Sequence, residues 1–256
     1  MEKEFDFIAE FYDEWEKDYL ADIPLWLEYA GKCGSPILEL ACGTGRVLLP
    51  LAQAGFKVAG IDLSGKMLEK AKEKINKEVK DIHENIALLK GNMTNFDLKE
   101  KSSLVLIIFN SFQFLLTEEG QDNCLRCIHR HLNPNGKLII SVFNPDLSRP
   151  EGILRKDGDK PILDYPEKGD STEILNYQFF DHEKQITDVR FIIDTVKSNN
   201  VLERRTLDFK LRYFFPKEFE RMLNSNGFEM EELFGNYDKS DFGRKSPFMI
   251  FVAKRK

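Results

Sequence analysis

The sequence predicts an α/β protein: a doubly wound, mostly parallel seven-stranded sheet, with an antiparallel β excursion after the fifth strand. Three observations predict it. Short apolar runs alternate with helix-period runs from residue 37 to 143, which implies βαβ units and parallel pairing. Leu104 to Phe109 is apolar throughout, as a parallel strand covered on both faces must be. After Asn144 the period changes from helical to alternating over three consecutive runs, which implies hairpin-joined strands.

The elements follow in order. Residues 5–30 carry Ile8, Phe11, Tyr12, Trp15, Tyr19 and Leu20 at helical spacings, and Pro24 is expected to split this helical stretch in two. Cys33-Gly34-Ser35-Pro36 breaks the chain before the first strand, Ile37–Leu40. A turn over Ala41 to Gly45 leads into a helix ending at Ala54, with Gly55 as its C-terminal cap. Lys57–Ile61 is the second strand, and Ser64 caps a helix over Gly65–Ile75. Ile86–Lys90 is the third strand and Leu104–Phe109 the fourth. Thr117, followed by Glu118 and Glu119, opens a helix to Leu132; Pro134-Asn135-Gly136 reads as a turn before the fifth strand, Lys137–Phe143.

Residues 148–170 read as loop, with Pro150, Pro161 and Pro166. The excursion proper consists of Ile174–Phe180, Ile186–Val196 and Leu202–Tyr213. Its alternation sets Val189, Phe191 and Ile193 against Asp188 and Arg190, giving one apolar face. The doubly wound pattern resumes with a helix over Pro216–Asn226, a Gly227 cap, and strands over Glu229–Phe234 and Pro247–Ala253. The main domain is therefore 1–147 with 214–256, and 148–213 is an insertion placed to cover an acceptor pocket.

Composition narrows the function classes. The chain has 256 residues, a net charge of −6 and interspersed acids and bases. A nucleic-acid binder shows a basic face, so no nucleic-acid partner and no anionic membrane surface is expected. The longest apolar runs are strand-length, too short to span a bilayer. Four cysteines in a chain of this size do not make a disulfide scaffold. No signal segment is read at the N-terminus, and a cytoplasmic location is the expectation.

The chemistry concentrates in Glu39-Leu40-Ala41-Cys42-Gly43-Thr44-Gly45, followed by Asp62 at the end of the second strand. Small residues let the backbone turn tightly and approach a ligand. An acid ending the second strand accepts hydrogen bonds from ribose hydroxyls, at the edge where open parallel sheets bind nucleotides. A dinucleotide fingerprint would need a third glycine where Leu48 stands. Glu39 weighs more. A pyrophosphate at that turn would meet like charge, at a cost on the order of several kcal/mol at an effective dielectric of about 20. S-adenosylmethionine (SAM) brings a sulfonium and an ammonium instead, so the acid selects SAM over NAD. A SAM sensor without turnover and an NAD-dependent reductase are the other two readings. A sensor would lack an open acceptor cavity, and the reductase is disfavoured by Glu39 and Leu48.

These residues resemble motif I of class I SAM-dependent methyltransferases, E/D-x-G-x-G-x-G, with Ala41 in place of the first glycine. The similarity continues through V-A-G-I-D-L-S (58–64), L-K-G-N-M (89–93), N-S-F (110–112), H-L-N-P-N-G-K-L (131–138) and S-N-G-F (225–228), and Phe11-Tyr12-Asp13 resembles the Y-D of many members. The resemblance implies a SAM site formed by Tyr12, Glu39, Ala41, Cys42, Gly43, Gly45, Asp62, Leu63, Asn92, Met93, Ile108 and Phe109. Within it, Glu39 holds the methionine ammonium and Asp62 the ribose, while Leu63 packs on adenine. Asn92, where many members have Asp, lies beside the adenine amino group, and Ile108-Phe109 offers backbone carbonyls to the methionine moiety. Asn110-Ser111-Phe112 is similar to the N-S-F of glycine N-methyltransferases, in which the Asn faces the acceptor. The expected reaction is in-line displacement of the methyl onto a small-molecule acceptor. Alignment contributes much of the rate, about 7–11 kcal/mol at best; no residue is nominated as a base.

Two further patterns are set aside. Gly60 to Lys66 fits the glycines and lysine of a phosphate loop, but Met67 cannot serve Mg²⁺ and Asp62 would repel phosphate. Cys124-x-x-Cys127 with His129 and His131 lies in one predicted helix, where the side chains point several ways, so no metal is expected.

Overall fold

The computed structural model describes residues 2–16, 19–78, 80–145, 155–156, 163–165 and 170–256. The N-terminal stretch forms α1 (Glu2–Ile8), α2 (Tyr12–Trp15) and α3 (Ile23–Cys33). Pro24 does not divide a helix. It sits in the first turn of α3, where its missing N–H has no partner to lose. The breaks fall earlier, on both sides of α2.

Then come β1 (Ile37–Leu40), α4 (Leu48–Gln53), β2 (Val58–Asp62), α5 (Gly65–Ile75), a single turn α6 (Lys80–His83), β3 (Ile86–Lys90) and β4 (Ser102–Ile107). Ser64 caps α5 by accepting from the Met67 N–H at 3.1 Å. A 3-10 turn (Ser111–Phe114) precedes α7 (Glu118–His131), which Thr117 caps through the Gly120 N–H. β5 (Leu132–Phe143) begins directly after α7. The expected turn at Pro134-Asn135-Gly136 is a bulge inside this strand: Ser102 pairs with Leu132, but Leu104 pairs with Lys137, and Asn135 takes φ 63°.

The excursion holds two short strands, β6 (Arg155–Lys156) and β7 (Leu163–Tyr165), in the span read as loop; the rest of 146–169 lies outside the described residues. Then β8 (Asp170–Asp181), β9 (Ile186–Val196) and β10 (Leu202–Arg212) form an antiparallel meander, and β6 and β7 both pair with β8. The chain closes with α8 (Pro216–Ser225), β11 (Phe228–Phe234) and β12 (Phe248–Arg255).

The main sheet runs β3-β2-β1-β4-β5-β12-β11. β1 to β5 are parallel, and β12 is antiparallel to both its neighbours. Strand alternation divides the core. Leu38, Leu40, Val105, Ile107, Leu138 and Ile140 pack against α7 and α8. Ile37, Leu104, Leu106 and Ile139 face α3 and α4. A third cluster joins Ile8, Phe11 and Met67 to the inner face of the excursion, at Ile174, Val189, Phe191, Ile193, Leu207 and Leu211. The outer face carries paired charges: Arg190 on Asp208, Arg204 on Asp194, Lys210 on Asp188. Since β1 lies between β2 and β4, strand order reverses there. The carboxyl ends of these strands open the crevice that such a switch creates.

Candidate active site

The turn after β1 is built from left-handed residues: Ala41 (φ 57°), Gly43 (φ 55°) and Gly45 (φ 75°). Alanine rarely adopts this conformation, and Ala41 holds it where the motif has glycine. Asp62 fixes the turn, accepting from the Gly43 N–H at 2.7 Å and the Ser64 N–H at 2.8 Å. Gly60 lets β2 come close. A Cβ there would lie 2.3 Å from Leu48 Cδ1 and 2.7 Å from Cys42 Sγ.

A cavity of about 600 Å³ opens over these strand ends, within the roughly 300–1,000 Å³ typical of small-molecule sites. Of the sequence-predicted residues, Tyr12, Glu39, Ala41, Cys42, Gly43, Asp62, Leu63, Asn92, Met93, Ile108, Phe109 and Asn110 all line it. Gly45 does not. It turns the chain behind the cavity, with its Cβ direction 3.5 Å from Ala71 Cβ.

Glu39 is 2% exposed, and its Oε2 has no hydrogen-bond partner among the described residues. Burial pushes its carboxyl up to about 8, against the opposing pull of Arg46. Asp62 is also raised by burial, with the Ser64 and Gly43 N–H groups working against the shift. Burial holds the Tyr12 hydroxyl protonated well above its usual range. Asn92 Oδ1 accepts from both the N–H and the hydroxyl of Thr94, each at 2.9 Å. Its side chain therefore presents an N–H₂ donor. The Ile108 carbonyl already accepts from the Ser111 N–H at 3.1 Å, so one lone pair is left. Phe109 (φ 55°) and Asn110 (φ 68°) leave the strand line after β4, which ends at Ile107 rather than Phe109.

Sequence reasoning missed several walls. Arg46 lies in the cavity and holds Asp22 with both terminal nitrogens at 2.7 Å, its guanidinium 5.1 Å from the Phe109 ring centre. Asp22 is fully buried and also accepts from Trp26 Nε1 at 2.8 Å. The N-terminal helices form another wall with Phe5, Ile8 and Trp15. Carboxylates pin them down: Asp6 accepts from the Ser64 hydroxyl, and Asp13 from the Thr44 hydroxyl and Lys74. The excursion forms a third wall with Asn176, Gln178 and Phe180 of β8, Val189 and Phe191 of β9, and Phe209 and Leu211 of β10. The Asp13–Thr44 pair was within reach of the sequence, since the Y-D resemblance had already marked that aspartate.

Cys124 and Cys127 are buried in the core; Cys127 Sγ donates to the Phe96 carbonyl, and His131 donates from Nδ1 to the Cys127 carbonyl at 2.8 Å and accepts from the Leu98 N–H at Nε2. Among the described residues no helix is long and apolar enough to cross a membrane.

Residues 37–136 match the model of a methyltransferase domain. The CcbJ methyltransferase from Streptomyces caelestis superposes with a TM-score of 0.81 at 26% identity, covering 97% of this chain and 96% of that one. A glycine/sarcosine N-methyltransferase of Aphanothece halophytica is 26% identical over 86% of this chain and 76% of its own. The cypemycin N-terminal methyltransferase of a Streptomyces species is 23% identical over 87% and 84%. Fold, strand-end cavity and domain match together make this chain a class I methyltransferase that uses SAM as its methyl donor.

Proposed function

We propose that the chain methylates a small molecule at nitrogen, with SAM held along the carboxyl ends of β1, β2 and β4. The observation that carries the binding mode is Glu39. A buried carboxylate with an unpartnered oxygen, set in a cavity wall, is stabilised by a cation. The α-ammonium of SAM is such a cation, and Arg46 beside it suits the α-carboxylate. Asp62 takes the ribose hydroxyls. Leu63 and Met93 flank the adenine, and Asn92 gives an amide N–H to a ring nitrogen, because its oxygen is committed to Thr94. Bound there, SAM supplies an electrophilic methyl group, taken in line by the acceptor's lone pair as the carbon–sulfur bond breaks and its electron pair stays on sulfur.

Nitrogen as the accepting atom follows the two named relatives, both N-methyltransferases. An acceptor that binds as the neutral amine brings its own lone pair, so alignment and exclusion of water suffice without a protein base, and the methylated ammonium gives up its extra proton to solvent. We read residues 148–213 as the acceptor cover, since the inner face of β8–β10 supplies one wall of the cavity. Four unpaired thiols suit a reducing compartment, and we place the enzyme in the cytoplasm. Thermal denaturation tests the cofactor assignment. S-adenosylhomocysteine at about 100 times its Kd adds ~2.7 kcal/mol to stability, and NAD adds none. Equal protection by NAD refutes it. Transfer of labelled methyl from SAM into a metabolite extract, resolved by size, tests the acceptor class.

A further inference from the structure

Burying an unpaired amide oxygen is costly, roughly 1–3 kcal/mol, so each one calls for an explanation. Two belong to residues that line this cavity. Asn110 Oδ1 lies at the end of β4, on backbone held by Ser141 and Gln113. Asn176 Oδ1 comes from the excursion, on a residue 9% exposed. Neither has a hydrogen-bond partner among the described residues.

The register aims Asn176 inward. Residues 176, 178 and 180 share one face of β8, and all three line the cavity. Asn176 pairs with Phe191, beside Val189 and Phe209. The surrounding wall is aromatic: Phe114 and Phe209 have ring centres 5.5 Å apart, Phe191 and Phe209 5.2 Å, and Phe5 and Phe114 4.8 Å.

Charge supplies the second half of the argument. The described lining holds three carboxylates, Glu16, Glu39 and Asp62, against one cation, Arg46. Asp22 engages both terminal nitrogens of Arg46, which stands on the cofactor side next to Glu39. Among the described lining, an acceptor bearing a carboxylate would be desolvated beside acids and aromatic rings with no cation but Arg46, which Asp22 already engages.

We propose that Asn176 is a specificity-determining residue of the acceptor site. Its oxygen and that of Asn110 grip two hydrogen-bond donors of an amine on an uncharged apolar body, and the pocket rejects amino acids with a free carboxylate. The proposal rests on the methyl-transfer reading above and narrows it, since glycine would be a poor acceptor.

Three matched probes test it by calorimetry on protein saturated with S-adenosylhomocysteine: xylylenediamine (meta and para), whose two amino groups can each meet one amide oxygen, benzylamine, which lacks the second donor group, and 4-(aminomethyl)benzoate, which carries a carboxylate in its place. One diamine should bind about 10-fold more tightly than benzylamine, and the benzoate more weakly than either. In Asn176→Leu, and in Asn176→Ser as a smaller change, the gap between diamine and benzylamine should close, with circular dichroism reporting folding. The wild-type ranking needs no variant. Benzoate binding as tight as the diamine, a gap that survives both substitutions in folded protein, or no binding by any amine overturns the proposal. Binding of S-adenosylhomocysteine itself is measured in the same protein, so these failures stand apart from failure of the methyltransferase reading.

Discussion

With Glu39 holding the α-ammonium as proposed, cofactor binding should depend on pH, with a sign and a size that follow from the surroundings of Glu39. Its carboxyl is raised to about 8 by burial, so near neutral pH the ligand-free site is mostly protonated. An α-ammonium prefers the carboxylate, and binding must therefore expel a proton. If only the ionised form binds, the apparent Kd exceeds its limiting value by a factor of one plus ten to the power of 8 minus the pH. That factor is about 320 at pH 5.5 and about 4 at pH 7.5, an expected gain of about 75-fold in affinity. Over this window the ligand's α-amino group remains predominantly an ammonium. The assay is equilibrium binding of S-adenosylhomocysteine by calorimetry in two buffers of different ionisation enthalpy, which also counts the proton released. Glu39→Gln should flatten the profile and weaken binding roughly 10- to 150-fold at pH 8, the loss of a hydrogen bond to a charged group. Stability shifts the other way. The folded state keeps a proton that the unfolded chain releases between about 4.5 and 8, so stability falls as pH rises through that window and is level above it. Glu39→Gln removes this decline and should melt higher than wild type at pH 8. Asp62, also raised, remains in the variant and serves as the internal control. A wild-type Kd constant from pH 5.5 to 7.5, with no proton released, would refute the reasoning.

Asp62→Ala should raise the Kd for S-adenosylhomocysteine roughly 10- to 150-fold, because it loses ribose acceptors and leaves the Gly43 and Ser64 N–H groups unpaired; unchanged binding in folded protein would move the ribose elsewhere. Arg46→Met leaves the fully buried Asp22 without its guanidinium and should cost about 3–5 kcal/mol by urea denaturation. Recovery of that loss in the Asp22→Asn double variant would confirm that the cost is the stranded carboxylate. Gly60→Ala drives a methyl group into Leu48 and Cys42 and should cost about 1–3 kcal/mol, read as a lower melting temperature.

What was legible in the sequence was whatever local chemistry carries. Ser64 and Thr117 announce their helices because a capping hydroxyl acts within three residues. β1 and β4 announce themselves because strands covered on both faces must be apolar. Glu39 and Asp62 stand at strand ends on either side of a glycine turn, so position and charge pointed to the same ligand. What was not legible depends on partners distant in sequence. Asp22 and Arg46 are 24 residues apart with no periodic relation. Gly60 looks like any strand glycine until Leu48 and Cys42 close over it. Pro24 reads equally well as a breaker or as a first-turn residue, and only the start of α3 decides. The bulge in β5 imitates a turn because Asn135-Gly136 suits left-handed backbone in either setting.

The two ends of the cavity are built by different logic. Apart from Tyr12, the proposed cofactor end lies within 37–136, the span matched by the methyltransferase domain, at strand termini that the topology of any doubly wound sheet brings together. On the proposed binding mode charge does the selecting there, with one carboxylate at one strand end favouring a sulfonium nucleotide over a pyrophosphate. The proposed acceptor end draws Phe5, Ile8 and Trp15 from before that span and Asn176, Phe191 and Phe209 from after it. These walls meet across the chain: Trp15 packs edge-on to Phe191 at 5.0 Å, and Arg205 of β10 pairs with Glu10. A motif can therefore name the donor while the acceptor stays out of its reach, because the proposed acceptor wall consists of side chains whose proximity exists only after β8–β10 have folded over the sheet. On this proposal the position that should vary with substrate is Asn176 and its neighbours on the inner face of the excursion, while substitutions at Glu39 and Asp62 should change affinity for the cofactor and leave acceptor preference unmoved.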